Sequence, residues 1–203
     1  MSTLLKNGTD LKAVAKEYLD IFANDKDYLK YRKQETDLQD LIGKCPYNTN
    51  FDEVFNKVKM LNSYYSTRMS KFGIQCVTKR ICSIKDFDKR IATGDIKLLL
   101  EIATPTGEGE NKCFSFATKY CVLHSSENYV IHDNMARTVL RKFIDEGLIS
   151  DFTAYDSDGY LKDINRYKRY IEVSKELQER CGISTLRDVD WFLWAYGKTN
   201  NKK

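Results

Sequence analysis

An amine and a carboxylate can together open a glycosidic bond, and one stretch of this chain supplies both. Thr104–Ala136 reads TPTGEGENKCFSFATKYCVLHSSENYVIHDNMA. Lys112 follows Gly107 and Gly109 at the expected start of a helix, and Asp133 stands at the expected start of the next. Glycines permit positive φ and let a backbone come close. Amides at a helix N-terminus favour an anion such as a phosphate. The positive end of the dipole, with partial desolvation, lowers the pKa of a lysine placed there. A neutral amine is what attack on a sugar carbon requires. A nearby carboxylate balances the positive charge that develops on the sugar as its base departs.

Those side chains need three elements to position them. A short apolar helix over Ile96–Ala103 is predicted, then a glycine-containing turn over Thr104–Asn111. A second helix follows from near Lys112 to near His124. After a polar loop, Tyr129–His132 leads to Asp133 and a third helix ending at Glu146, with Gly147 as its cap. At 100° per residue, Lys112, Ser115 and Lys119 share one side of the second helix. Cys113, Ala117, Tyr120 and Cys121 cover the other, with Phe116 at the border. That side is expected to pack while the lysines face a cleft.

The segments GEGENKCFSFATKYC and VIHDNMA resemble the catalytic region of the helix-hairpin-helix DNA glycosylases, in particular the small 8-oxoguanine glycosylases of archaeal type. The residues that carry the resemblance are Gly107, Gly109, Lys112 and Asp133. The pattern Lys112-x-x-Ser115-x-x-x-Lys119 is similar to the start of the family's lysine helix. The run from Asp188 through Asp190, Trp194, Gly197 and Lys198 is similar to its closing helix. The resemblance covers about the last half of the chain and implies a bifunctional glycosylase with AP-lyase activity. Lys112 and Asp133 would be catalytic. Gly107, Gly109, Lys119, Arg137 and Arg141 would bind the DNA backbone. Phe116 and Trp194 would hold an extruded base. The implied partner is double-stranded DNA with a modified base, met by a monomer without metal or organic cofactor. Glu108 and Glu110 lie where phosphate would dock, which favours an alternative: a DNA-binding protein of the same fold without chemistry.

The 203 residues suffice for one domain or two small lobes. Two prolines and ten glycines argue against linkers and a sheet-rich design. A net charge of +4 is compatible with nucleic acid without requiring it. Six cysteines and two histidines show no zinc-ligand spacing. No signal peptide or membrane span is evident, and a reduced cytoplasmic protein is expected.

Apolar residues at helical spacing run through most of the remaining chain. Helices are expected from Asp10, from about Asp27 to Ile42, from Asn50, over Asp86–Ala92, over Asp163–Cys181, and after a loose capping box at Thr185 and Asp188. Gly73–Ser83 fits either a short strand or a helix. Ser150–Tyr160 reads as a polar loop. The expectation is an all-α, two-lobed fold of about eight helices, a single compact glycosylase-like domain. Its N-terminal lobe would span about 1–92, its hairpin and catalytic lobe about 93–203, with a cleft between them.

Overall fold

Asp10 accepts hydrogen bonds from the amides of Lys12 and Ala13, and so starts α1 (Leu11–Asn24) in the computed structural model. The structure describes residues 8–67, 69–106, 113–150, 152–153 and 157–200. All regular structure among them is helical. After a 3-10 turn at Lys26–Tyr28 come α2 (Leu29–Lys44), α3 (Phe51–Tyr64), α4 (Lys71–Ser83), α5 (Phe87–Ala92), α6 (Ile96–Ala103) and α7 (Phe114–His124). The chain continues with α8 (Asn134–Asp145), α9 (Ser157–Lys162), α10 (Asn165–Cys181) and α11 (Leu186–Asn200).

The ambiguous Gly73–Ser83 segment is helical because Ser70 caps it, accepting from the Gly73 amide. Its β-branched residues then serve packing, with Val77 and Ile81 buried. The expected Ser150–Tyr160 loop gives way at Ser157 to α9, which runs on to Lys162.

The helices gather into two compact units. One joins Met1–Leu29 to Val130–Lys203; the other is the continuous stretch Lys30–Tyr129. The boundary therefore does not fall near residue 92. The helix expected to open an N-terminal lobe, α1, packs instead on α10 and α11. Periodicity shows that a helix has an apolar face, not which distant face covers it.

In the discontinuous unit α11 is central, packed against α8, α1 and α10. Tyr196 meets Tyr18 edge-on at 5.0 Å and Phe143 at 5.2 Å. Phe22 stacks on Trp191 at 4.3 Å. The α8–α11 approach depends on Gly197, where a Cβ would collide with Met135 and Val139.

In the continuous unit α7 occupies the interior, with α6, α3 and α5 against it. Phe114 and every residue from Phe116 to Leu123 are buried. The helix is thus covered on nearly all sides, its polar Thr118 and Lys119 included. Outside it, Arg90 reaches Asp95 at 2.7 Å and Glu101 at 2.6 Å, and Arg80 reaches Glu101 at 3.2 Å, tying α4, α5 and α6 together.

Candidate functional site

Asp133 caps α8. Its Oδ1 accepts from the Ala136 amide at 2.9 Å, and its own backbone is extended. The carboxylate is half-buried, so its direction is set while it keeps access to solvent. Arg137 and Arg141 lie one and two turns further along α8. Arg137 is half-buried and donates to Asn134 at 3.0 Å, while Arg141 is exposed. Within the same unit Trp194 is half-buried and belongs to an aromatic cluster. It meets Tyr28 edge-on at 5.4 Å and Phe22 at 6.2 Å, and the Lys198 ammonium lies 4.8 Å from its ring centre.

The expected nucleophile Lys112, with Gly107 and Gly109, lies outside the described residues. The chain on either side of them is ordered by main-chain pairing: the Cys113 amide donates to the Ala103 carbonyl at 2.9 Å, joining the end of α6 to the start of α7. Cys113 Sγ lies 3.4 Å from the Ile102 carbonyl. Burial pushes this thiol up to about 12, so it stays protonated.

Two residues expected at the site serve the interior of α7. Lys119 is 5% exposed, donates to Ser115 Oγ at 2.8 Å and stands 5.7 Å from the centre of the Tyr65 ring. Phe116 is buried against Tyr120, 5.8 Å between centroids. The division of this helix into a packed side and a lysine side does not hold. Ser115 offers its hydroxyl to the lysine four residues on, which lets the ammonium lie inside.

A lysine with a depressed pKa does occur, but at a position that the spacing argument passed over. Lys57 on α3 is fully buried. Its Nζ donates to the carbonyls of Cys45 and Tyr47 at 3.1 and 2.8 Å and to Asn48 Oδ1 at 2.8 Å. Tyr120 donates to the same Asn48 oxygen, and Asn48 Nδ2 donates to Asp88 at 2.7 Å. Burial lowers the Lys57 pKa to about 8, against the opposing pull of Asp88. Burial, and then the Lys57 charge, hold His124 down to about 3. With its acceptors in place and no exposed surface, Lys57 holds the 45–48 loop to α3 and cannot reach a substrate. The signal was present: residue 57 lies on the stripe of Val54, Val58 and Leu61, where a charged side chain must be buried.

A buried acid was missed in the same way. Asp190 lies on the stripe of Leu186, Val189 and Leu193 in α11. It accepts from the Ile131 amide at 3.3 Å, and Arg187 lies 3.3 Å away. His132 is buried with its ring edge-on to Tyr160 at 4.5 Å.

The arrangement defines a class: an all-helical protein of two units whose described residues include a capping carboxylate on an ordered extended segment. Residues 14–148 match the family model HI_0787_N, described as an N-terminal domain, and the chain belongs to this family. A Haemophilus influenzae (strain Rd) protein described as uncharacterized is 35% identical over 152 residues, 74% of this chain and 69% of the relative. No solved structure matches the chain. No helix among the described residues is long and apolar enough to cross a membrane.

Proposed function

We propose that the protein is a DNA glycosylase with AP-lyase activity, acting on duplex DNA with an oxidised or otherwise modified base. The observation that carries the reading is Asp133: a half-buried carboxylate, aimed by its cap bond to Ala136 and presented at the head of a helix that bears Arg137 and Arg141. The pairing of Cys113 with Ala103 supports it, because it sets α6 and α7 as consecutive helices flanking Gly107, Gly109 and Lys112.

Phosphates dock on the turn and on the arginines of α8, and the base is drawn out of the stack. The Lys112 amine forms a bond to C1′ as the bond from C1′ to the base breaks; the base leaves with a proton that Asp133 relays from the attacking nitrogen. Asp133 offsets the positive charge on the sugar ring and takes the proton from the attacking nitrogen. The second proton of the nitrogen passes to the ring oxygen as the ring opens to an imine; loss of a C2′ proton together with the 3′ phosphate then cleaves the strand. The helix-hairpin-helix belongs to this reading. Lys119 and Phe116 leave it, because both serve the α7 interior.

Borohydride reduction on a duplex containing oxidised guanine tests the proposal. A covalent protein–DNA adduct is expected, lost in Lys112→Gln and strongly reduced in Asp133→Asn. Salt-dependent binding of duplex without any adduct would replace this reading with a non-catalytic DNA-binding protein. Glu108 and Glu110, beside the glycines of the turn, favour that second reading.

A further inference from the structure

The residues leading into α8 have no regular secondary structure, yet Val130, Ile131 and His132 are buried. Buried main-chain groups need partners. Side chains of α10 and α11 supply them. The Tyr167 hydroxyl donates to the Val130 carbonyl at 2.6 Å and accepts from the Val130 amide at 3.1 Å. The Tyr170 hydroxyl donates to the Ile131 carbonyl at 3.1 Å. Asp190 completes the cradle by accepting from the Ile131 amide. Three side chains thus hold the main chain immediately before Asp133.

An acid is an expensive choice for the last of these contacts. The oxygen of an asparagine would accept from Ile131 without a charge to bury; the acid adds a charge partner for Arg187, 3.3 Å away. Asp190 is 8% exposed, which bars it from touching a substrate. The charged and titratable groups that face it are Arg187 from α11, Asp133 at the head of α8 and Tyr170 from α10.

We propose that Asp190 is the positioning residue for Asp133, fixing the main chain of 130–132 and, through its own charge state, the field at the Asp133 carboxylate. The proposal rests on Asp133 being the working carboxylate of the glycosylase. Burial pushes the Asp190 carboxyl up to about 7; the Asp133 charge adds to the rise, and Arg187 and the Ile131 amide oppose it. On the acid side of neutrality Asp190 is a neutral hydrogen-bond partner. On the alkaline side it places a second negative charge near Asp133.

Amide NMR of the full chain between pH 5.5 and 8.5 separates this role from a merely structural one. The Ile131 amide touches Asp190, whereas the Ala136 amide touches Asp133. Both are expected to shift with one midpoint near 7 and to lose that step in Asp190→Asn, which keeps an acceptor for Ile131. An Ala136 amide that stays still while Ile131 titrates overturns the proposal, as does a step that survives in Asp190→Asn. Should the variant not fold, the wild-type Ala136 titration decides alone. In kinetics, Asp190→Asn is expected to lower kcat for base release roughly tenfold to a hundredfold with KM unchanged. It should also remove the inflection near 7 from the kcat profile. An unchanged kcat profile overturns the proposal. If wild-type protein forms no borohydride adduct, the glycosylase reading fails by itself, and the amide titration still reports whether Asp190 governs Asp133.

Discussion

Lys57 shows what a charge costs inside a helical core and how its position limits its use. Its pKa of about 8 lies below the ordinary 10.5, so between those values the unfolded chain binds the proton more readily than the folded one. Stability from this group therefore rises with pH across that window. The buried thiols of Cys113 and Cys121 act in the opposite direction, since burial holds them protonated in the fold beyond their ordinary pKa. The comparison that isolates Lys57 is wild type minus Lys57→Met. Urea unfolding at pH 7 and at pH 10.5 should show that difference growing in favour of wild type by roughly 3 kcal/mol. A flat difference would mean that the ammonium is not buried as described.

His124 carries the acid-side counterpart. Its folded pKa of about 3 lies below 6.5, so its contribution is fully present above 6.5 and disappears as pH falls towards 3. His124→Phe keeps a ring against Tyr120, whose centroid lies 5.0 Å from the histidine ring. The variant is expected to lose less stability than wild type between pH 6.5 and 4, read from denaturant midpoints at matched ionic strength.

Among the helices, α11 and α7 use their sequences differently. Gly197 lets α8 and α11 come close enough for Met135 and Val139 to fill the space a side chain would take. Gly197→Ala gains helix propensity but must displace both neighbours. The overpacking is expected to win, with a net loss of about 1–3 kcal/mol measured by thermal unfolding. A more stable variant would show that Met135 simply rotates away. For α7, burial of all but Ser115 and His124 explains why face arithmetic failed. Three of its polar residues, Ser115, Thr118 and Lys119, bond within the helix: Thr118 donates to the Ser115 carbonyl at 3.0 Å and Lys119 to the Ser115 hydroxyl. A polar residue satisfied by its own helix no longer marks a solvent side.

The molecule divides into one continuous unit and one assembled from both ends of the chain. Lys30–Tyr129 brings its own core, including Leu38, Val54, Leu61, Leu99, Phe114 and Tyr120. A fragment of about 100 residues with such a core is of a size that folds alone. Expressed by itself, 30–129 is expected to be helical by circular dichroism and to melt cooperatively; a non-cooperative melt would tie its stability to the other unit. The family match over 14–148 takes in all of this unit together with Asp133, Arg137 and Arg141, but stops before Asp190 and Trp194. The region that carries the proposed chemistry is the region shared with the family, and the buried acid behind it lies outside.

Local sequence determined much of this. The caps at Asp10, Asn50, Asp95 and Asp133 and the Thr185–Asp188 box are all formed, because a cap needs only its own first turn. All-helical structure followed from spacing that recurs every three to four residues. Tertiary structure decided which faces meet: that α1 joins α10 and α11, that Lys57 and Asp190 are interior charges, and that Lys119 turns inward. Burial of a side chain depends on surfaces brought from far along the chain. Residue 57 and the loop carbonyls that hold it, or residue 190 and the Ile131 amide that it accepts from, become neighbours only when those segments pack on α3 and α11.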